Sequence, residues 1–232
     1  MGVFSSFKKS RAARRLRAAQ AEYQALHAEW KNEADTLDEY IAVVRDCAEG
    51  RIDEQLVDTN DYGFLLNDGE RGIAYMPGTL FLEVVRAPST YSGGYGGVSF
   101  PLFGRVRLNT GRMRGQVTPG DESIRSTDEG TTMITTERIM FTGAKRTQEW
   151  KFAKMMSITH HELGYSIFAT SGRSKPTGIG FGADVATEVQ FRIELAAAIA
   201  RNQLPRYLAE LQAEKAKHDA EMPVPPAPLS LP

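Results

Sequence analysis

Residues 3–49 contain neither glycine nor proline, the two residues that most often interrupt a helix. Apolar residues recur there every seven positions, and a second set follows three or four places after the first, as on one face of an α-helix. With Gly50 as a C-terminal stop, the pattern predicts one helix of about 45 residues, about 65 Å long. The two sets are Leu16, Tyr23, Trp30, Leu37 and Val44, and Ala19, Leu26, Ala34 and Ile41.

A helix of this length must bury its apolar stripe against something. Three partners are open on the sequence alone: another copy of the chain in a coiled coil, the C-terminal helix of the same chain in a hairpin, or the β region that follows. The first two are equally favoured.

After a polar connection the period changes from helical to alternating, and glycine becomes frequent from residue 62 onward. Short turns separate the alternating segments, and short links join strands antiparallel. An antiparallel β domain is therefore predicted. Its predicted strands are residues 72–75, 79–86, 98–108, 131–135, 138–142, 148–152, 156–161, 165–170 and 178–181.

Helical spacing returns at residue 184, and Pro205 interrupts it. Because proline removes a backbone hydrogen bond, the sequence predicts a break between two helices near residues 202–204. The last eleven residues contain five prolines and no charge, which is typical of a disordered tail. The predicted organisation has four parts: residues 1–61, 62–201, 202–221 and 222–232.

Composition places the chain among ordinary proteins of the cytoplasm. No run approaches the ~18 apolar residues that a spanning helix needs, and the first twenty residues lack the pattern of a secretory signal. Cys47 is the single cysteine, so no intrachain disulfide forms, and its helical context favours a packing role. We expect a cytoplasmic protein with a peripheral association at the inner face of the membrane as one hypothesis.

Residues 128–143 carry a strand that ends in Thr135 and a polar turn that leads to an Arg-apolar-apolar-Phe strand. This hairpin resembles that of bacterial pleckstrin-homology-like domains, and residues 150–154, 164–170 and 174–181 resemble the strands that follow it. Residues 91–99 and 111–115 are similar to an uncharacterised bacterial group with this domain. The resemblance implies an α+β fold in which a β domain is closed by a C-terminal helix, residues 186–200, and flanked by the long N-terminal helix and a second C-terminal helix. It also implies a module that binds lipid headgroups, peptides or protein surfaces.

The densest cationic cluster of the β region is a candidate ligand face. Two of its members are two apart on a predicted strand and so project to one side, where an anionic headgroup or acidic peptide could meet them. The alternative is a solvated basic face that pairs with the acidic helix, since residues 18–62 carry a net charge of −9. The cluster comprises Arg105, Arg107, Arg112 and Arg114.

The first seventeen residues carry six cations and no acid, and Gly2 matches the start of a myristoylation pattern. Acylation is not expected in a bacterium, but a mixture of phenylalanine and basic residues also favours an anionic membrane surface. A nucleic-acid-binding arm and a solvated or protein-bound basic end are the alternatives. The candidate membrane-surface residues are Phe4, Phe7, Lys8, Lys9, Arg11, Arg14, Arg15 and Arg17.

No motif for catalysis, metal or cofactor binding emerges. The glycines of residues 93–97 lead into a strand and lack a phosphate-loop pattern. His160 and His161 are adjacent on a strand and point to opposite faces, so they cannot chelate one metal in regular geometry. The sequence predicts a non-enzymatic scaffold that docks near a membrane and self-associates through its helices, or a purely protein-binding adaptor. A nucleic-acid-associated role is the less favoured alternative.

Overall fold

A computed structural model describes residues 3–59, 62–85, 98–103, 106–110, 123–173 and 175–226. The chain forms two compact units. One contains the N-terminal helix up to Arg45 together with the chain from Leu208, and the other is Asp46–Tyr207. The fold is α+β, and in the described residues no helix has the length and apolar character needed to cross a bilayer.

The smaller unit is built on α1, which is one continuous helix over Val3–Ala48. The last helix, α3, covers Leu204–Ala220. Trp30 contacts His218 and, further along α1, Asp38 contacts Lys215, so the two helices run antiparallel. The structure thus has the intrachain hairpin, one of the three partners that the apolar stripe allowed.

The larger unit contains a nine-stranded sheet in the order β2-β3-β7-β8-β9-β1-β4-β5-β6. The seven strands from β7 to β6 in this order form six neighbouring pairs, and all six pairs are antiparallel, as predicted. One pair differs from the prediction, because β3 and β7 are parallel. The rule for short links applies only to strands adjacent in sequence, and these two are not. The strands are β1 Gly72–Val85, β2 Val98–Phe103, β3 Val106–Thr110, β4 Ser123–Thr135, β5 Arg138–Gly143, β6 Thr147–Lys151, β7 Met155–His161, β8 Tyr165–Thr170 and β9 Thr177–Gly180.

Aromatic side chains form the centre of the β core. Phe81 lies 5.3 Å from Phe141 between ring centroids, and Trp150 lies 5.1 Å from Phe168. All four are at most 1% exposed, and the Trp150 indole N–H donates to the Thr177 hydroxyl at 3.0 Å. The polar edge of the largest side chain is therefore satisfied inside the core.

Helix α2, Ala186–Ala200, follows the last strand after a 3₁₀ turn at Ala183–Val185 and packs on β1, β4 and β5. Beyond its end, Asn202 has φ 54°, and the Gln203 amide donates to the Ala198 carbonyl at 2.9 Å. These features form a Schellman-type stop. The predicted break is present, and Pro205 lies in the first turn of α3, where proline is tolerated.

Candidate binding surfaces

A groove of about 620 Å³ lies beside the N-terminal half of β1 in the larger unit. Its floor is residues 73–79, and residues 54–57 form one wall. Residues from the start of α2 form the other wall. A volume of this size is typical of ligand sites, which range over about 300–1,000 Å³. The remaining lining residues are Phe181, Val185, Glu188, Val189 and Arg192.

The floor of the groove is a strand edge that lacks a neighbour. β1 pairs with β4 along its length, but its other edge pairs with β9 only over residues 80–83. At the opposite end Val57 forms an isolated antiparallel bridge to Gly72. Among the described residues no strand pairs with the stretch in between, so one row of the sheet is missing there.

β9 leaves the edge of β1 because of two glycines. Gly182 has φ 92° and turns the chain away after Phe181. The amides of both Phe181 and Gly182 donate to the carbonyl of Gly164, at 2.7 and 3.0 Å. A side chain at Gly164 would collide with the Gly182 backbone. The close approach of these glycines thus defines where the sheet stops and the groove begins.

The rim of the groove carries three charged groups. Arg192 donates through Nε to Glu188 at 2.7 Å and through Nη1 to the Gln55 side chain at 2.9 Å. Glu54 has no ion pair within the described part of the chain. The lining therefore has two carboxylates against one guanidinium and favours an occupant with a cation.

The four arginines of the predicted ligand face remain untested. Arg105, Arg112 and Arg114 lie outside the described residues. Arg107 is in β3, but its side chain is not among those described. Among the other cations of the β region, Arg146 pairs with Glu83 and lies 5.2 Å over the ring of Phe81, so it has a packing role.

The basic N-terminal residues belong to α1, whose helix begins at Val3. The side chains of Arg14 and Arg17 are exposed. The other six candidate side chains, Phe4, Phe7, Lys8, Lys9, Arg11 and Arg15, lie outside the described ones. Further along α1, Ala19, Tyr23 and Leu26 line a smaller groove of about 290 Å³ together with Pro223, Val224 and Pro226 of the C-terminal segment.

A buried polar cluster has the residue types of a hydrolase triad. His160 Nδ1 lies 2.7 Å from the Ser166 hydroxyl, and its Nε2 lies 3.5 Å from Glu194 Oε1. Ser166 is 0% exposed and His160 is 5% exposed. A nucleophile needs access to its substrate, so this cluster is a structural link between β7, β8 and α2.

Burial, with a smaller contribution from the neighbouring His161, lowers the pKa of His160 to about 3. The carboxylate of Glu194 would favour the imidazolium, but Nε2 makes no hydrogen bond and the 3.5 Å separation is long. Desolvation therefore dominates, and the imidazole is neutral at neutral pH. His161 instead stacks on Tyr165, with centroids 4.1 Å apart, so the two histidines point away from each other as predicted.

A second buried network holds the segment before β1. Arg138 forms two 2.9 Å bonds to Glu70, one to each carboxylate oxygen, and a 2.6 Å bond to Glu149. Burial by itself would raise the pKa of Glu70, but the bonds from Arg138, the Asn67 amide and Thr135 outweigh it and lower that pKa. The Arg138 guanidinium also reaches the carbonyl of Leu65. The sequence pattern used Arg138 only as part of a strand motif and missed this role.

Within the described residues no group of three or more histidine, cysteine, aspartate or glutamate side chains could hold a metal. Cys47 is buried, and that burial raises the pKa of its thiol. No protein-family model matches the chain, and no curated protein is significantly similar to it.

Proposed function

We propose that this protein is a non-enzymatic scaffold whose basic N-terminal helix docks on an anionic membrane surface, and whose β domain is pleckstrin-homology-like. The order of seven antiparallel strands followed by a packed helix, α2, supports the second part. An antiparallel sheet closed by a C-terminal helix is what the resemblance of residues 128–143 implies.

One observation carries the membrane part. Six cations and no acid occupy residues 1–17, and α1 continues without a break from Val3 through this segment. The described C-terminal segment reaches α1 only at Ala19 and beyond in the small groove. Each cation near an anionic surface contributes about 1 kcal/mol before salt screening, so six together give useful affinity without an acyl chain.

Vesicle co-sedimentation tests the proposal with a matched control. The arm variant carries glutamine at Lys8, Lys9, Arg11 and Arg14. The control variant carries glutamine at four exposed cations of the larger unit, Arg125, Lys154, Arg173 and Lys175. We expect wild type and control to sediment with phosphatidylglycerol-containing vesicles and the arm variant to stay in solution. Equal sedimentation of the two variants would overturn the membrane role.

Two additions to this assay separate the alternatives. Binding should weaken with rising salt and should be absent on pure phosphatidylcholine vesicles. If duplex DNA binds the arm while the vesicles do not, the nucleic-acid alternative replaces the membrane proposal.

The second candidate function is a protein-binding adaptor without lipid contact. The groove beside β1 favours it, since it is a concave surface with a main-chain edge as its floor. Self-association through the helices belongs to the same class of proposal. Light scattering across a range of protein concentrations tests self-association. A constant mass equal to that of the monomer would show that the protein does not self-associate.

A further inference from the structure

We propose that the groove beside β1 binds an extended peptide segment of a partner protein, which adds to the sheet as an antiparallel strand. This inference is independent of the membrane proposal. It assigns a ligand class to a surface in the larger unit, whereas the basic arm, residues 1–17, belongs to the smaller unit.

The missing row of the sheet identifies the occupant. Alternate residues of a strand turn their main-chain N–H and C=O groups toward each edge. Over residues 73–79 one alternating set of these groups is on the side of β4, and the other set has no described strand opposite it. An occupant that satisfies them must present its own N–H and C=O groups at strand spacing, which only an extended main chain does.

The ends of the gap set its length and direction. β9 stops opposite Leu80, and Val57 bridges Gly72. Seven residues of edge, 73–79, lie between them, about 23 Å at ~3.3 Å per residue. Both flanking pairs are antiparallel to β1, so the occupant continues the line of β9 and runs in the same direction.

Pro77 and Gly78 restrict the part of the edge that forms bonds. Pro77 has no N–H, and Gly78 has φ 68° at a register shift in the β1–β4 pairing. The pairing with β4 also shifts between Gly72 and Ala74. The regular edge is therefore residues 74–76, and the main-chain bonds of the occupant are expected there. Toward residue 79, the side chains of the occupant are expected to contact Phe181 and Val185. The side chain of Val185 is 47% exposed.

The charge of the rim predicts the sequence of the ligand. An antiparallel occupant has its C-terminal end toward Ile73, which is the end where the wall of residues 54–57 meets β1 through Val57. Glu54 belongs to that wall and has no ion pair among the described residues. The ligand is thus expected to have alternating apolar residues followed by lysine or arginine.

Selection from a random library of linear peptides, displayed on phage, tests the site with the full chain as target. Counter-selection uses Val185→Trp, which fills the groove from an exposed position, and Met156→Trp serves as the matched control because Met156 is 52% exposed on β7. We expect peptides that bind wild type and Met156→Trp equally and Val185→Trp at least about tenfold more weakly. Failure to enrich any such peptide would overturn the proposal.

Backbone methylation of a selected peptide then tests strand addition. N-methyl groups on one alternating set of residues remove the N–H groups that face β1, while the same groups on the other set point to solvent. We expect one set to weaken binding about tenfold per lost bond and the other to have little effect. Equal tolerance of both sets would show that the groove binds side chains only, and strand addition would be wrong.

Charge reversal gives an independent check. Glu54→Lys should weaken peptides with a C-terminal lysine or arginine several-fold, whereas Glu129→Lys, an equal charge change at an exposed site on β4, should not. If both reversals act alike, the preference comes from net charge and not from Glu54. None of these results depends on vesicle binding, so this inference and the membrane proposal fail separately.

Discussion

The hydroxyl of Tyr207 donates a 2.6 Å hydrogen bond to Oε2 of Glu194 inside the larger unit. Tyr207 is 2% exposed and Glu194 is 8% exposed. The bond joins the first turn of α3 to the middle of α2 across the Asn202 turn. A buried carboxylate without hydrogen-bond donors would be strongly unfavourable, so this bond contributes to the stability of the larger unit.

Replacement of Tyr207 by phenylalanine should therefore reduce the free energy of unfolding by about 1–3 kcal/mol, because a buried carboxylate loses the hydrogen bond from this hydroxyl. Urea denaturation followed by circular dichroism measures the change. Tyr62→Phe is the matched control, since Tyr62 is 39% exposed and its stacking on Tyr75 survives the change. A loss of similar size in the control would mean that the Glu194 bond is not responsible.

The neutral state of His160 predicts an acid-sensitive fold. Its folded pKa of about 3 is below the unfolded value of about 6.5. Below pH 6.5 the unfolded chain therefore binds a proton that the folded chain does not, and the free energy of unfolding falls as pH drops toward 3. The slope from this residue approaches 1.4 kcal/mol per pH unit.

His160→Gln keeps a partner for the Ser166 hydroxyl but cannot titrate. We expect its free energy of unfolding to depend less on pH between 6 and 4 than that of the wild type, by up to one proton. Chemical denaturation at a series of pH values gives both slopes. Parallel slopes would mean that His160 is already protonated in the folded state.

The pair of Glu70 and Arg138 should be the most sensitive ion pair in the described part of the chain. Glu70 has a fully buried side chain and Arg138 is 12% exposed. Glu70→Gln leaves the guanidinium with one of its three bonds to a carboxylate, the bond to Glu149, and should cost about 3 kcal/mol in urea denaturation. Asp53→Asn breaks the exposed pair with Arg71 and should cost less than about 0.5 kcal/mol. Equal costs would contradict the burial of the network.

Two glycines with similar positive φ allow the cost of backbone strain to be measured separately from the cost of a steric clash. Gly164 and Gly172 have φ of 78° and 86°, and both would be strained by a side chain. A Cβ at Gly164 meets the Gly182 backbone, whereas one at Gly172 meets no atom within 4 Å. Gly164→Ala should thus lower the melting temperature clearly more than Gly172→Ala. Similar losses would indicate that the β7–β8 turn has room to move away from Gly182.

Local sequence patterns correctly predicted the elements whose conformation depends mainly on residues nearby in sequence. The uninterrupted apolar stripe predicted α1, and the structure has it over Val3–Ala48. The break after residue 201 also follows from local signals, with Asn202 in the left-handed region. In these segments periodicity and backbone preference agree with the tertiary packing.

The predicted bounds were wrong for strands that are stabilised by pairing with residues distant in sequence. β4 begins at Ser123, eight residues before the predicted start. Its first half is polar and lacks alternation, and it is a strand because it pairs with the second half of β1. Because Pro77 and Gly78 are turn formers, the sequence pattern predicted two strands where the structure has the single strand β1. In the structure the two residues lie at a bulge within β1. The predicted strand 98–108 is a hairpin of β2 and β3.

The groove could not be found from the sequence, because it results from a strand that is missing at one edge. No residue type marks such an absence. The His160 cluster had a weak signal, since His160 and Ser166 are partners across a hairpin with a Leu163-Gly164 turn. The basic arm, by contrast, is a compositional feature and was visible at once.

The bulge at Pro77 and Gly78 also has a consequence for solubility. An open strand edge pairs as readily with the same edge of another copy as with a ligand, and such pairing is the first step of aggregation. Proline and a bulge are the devices by which natural sheets prevent it. In this protein Pro77 and Gly78 keep the open edge of β1 short, and we therefore expect that edge to resist pairing with the same edge of another copy.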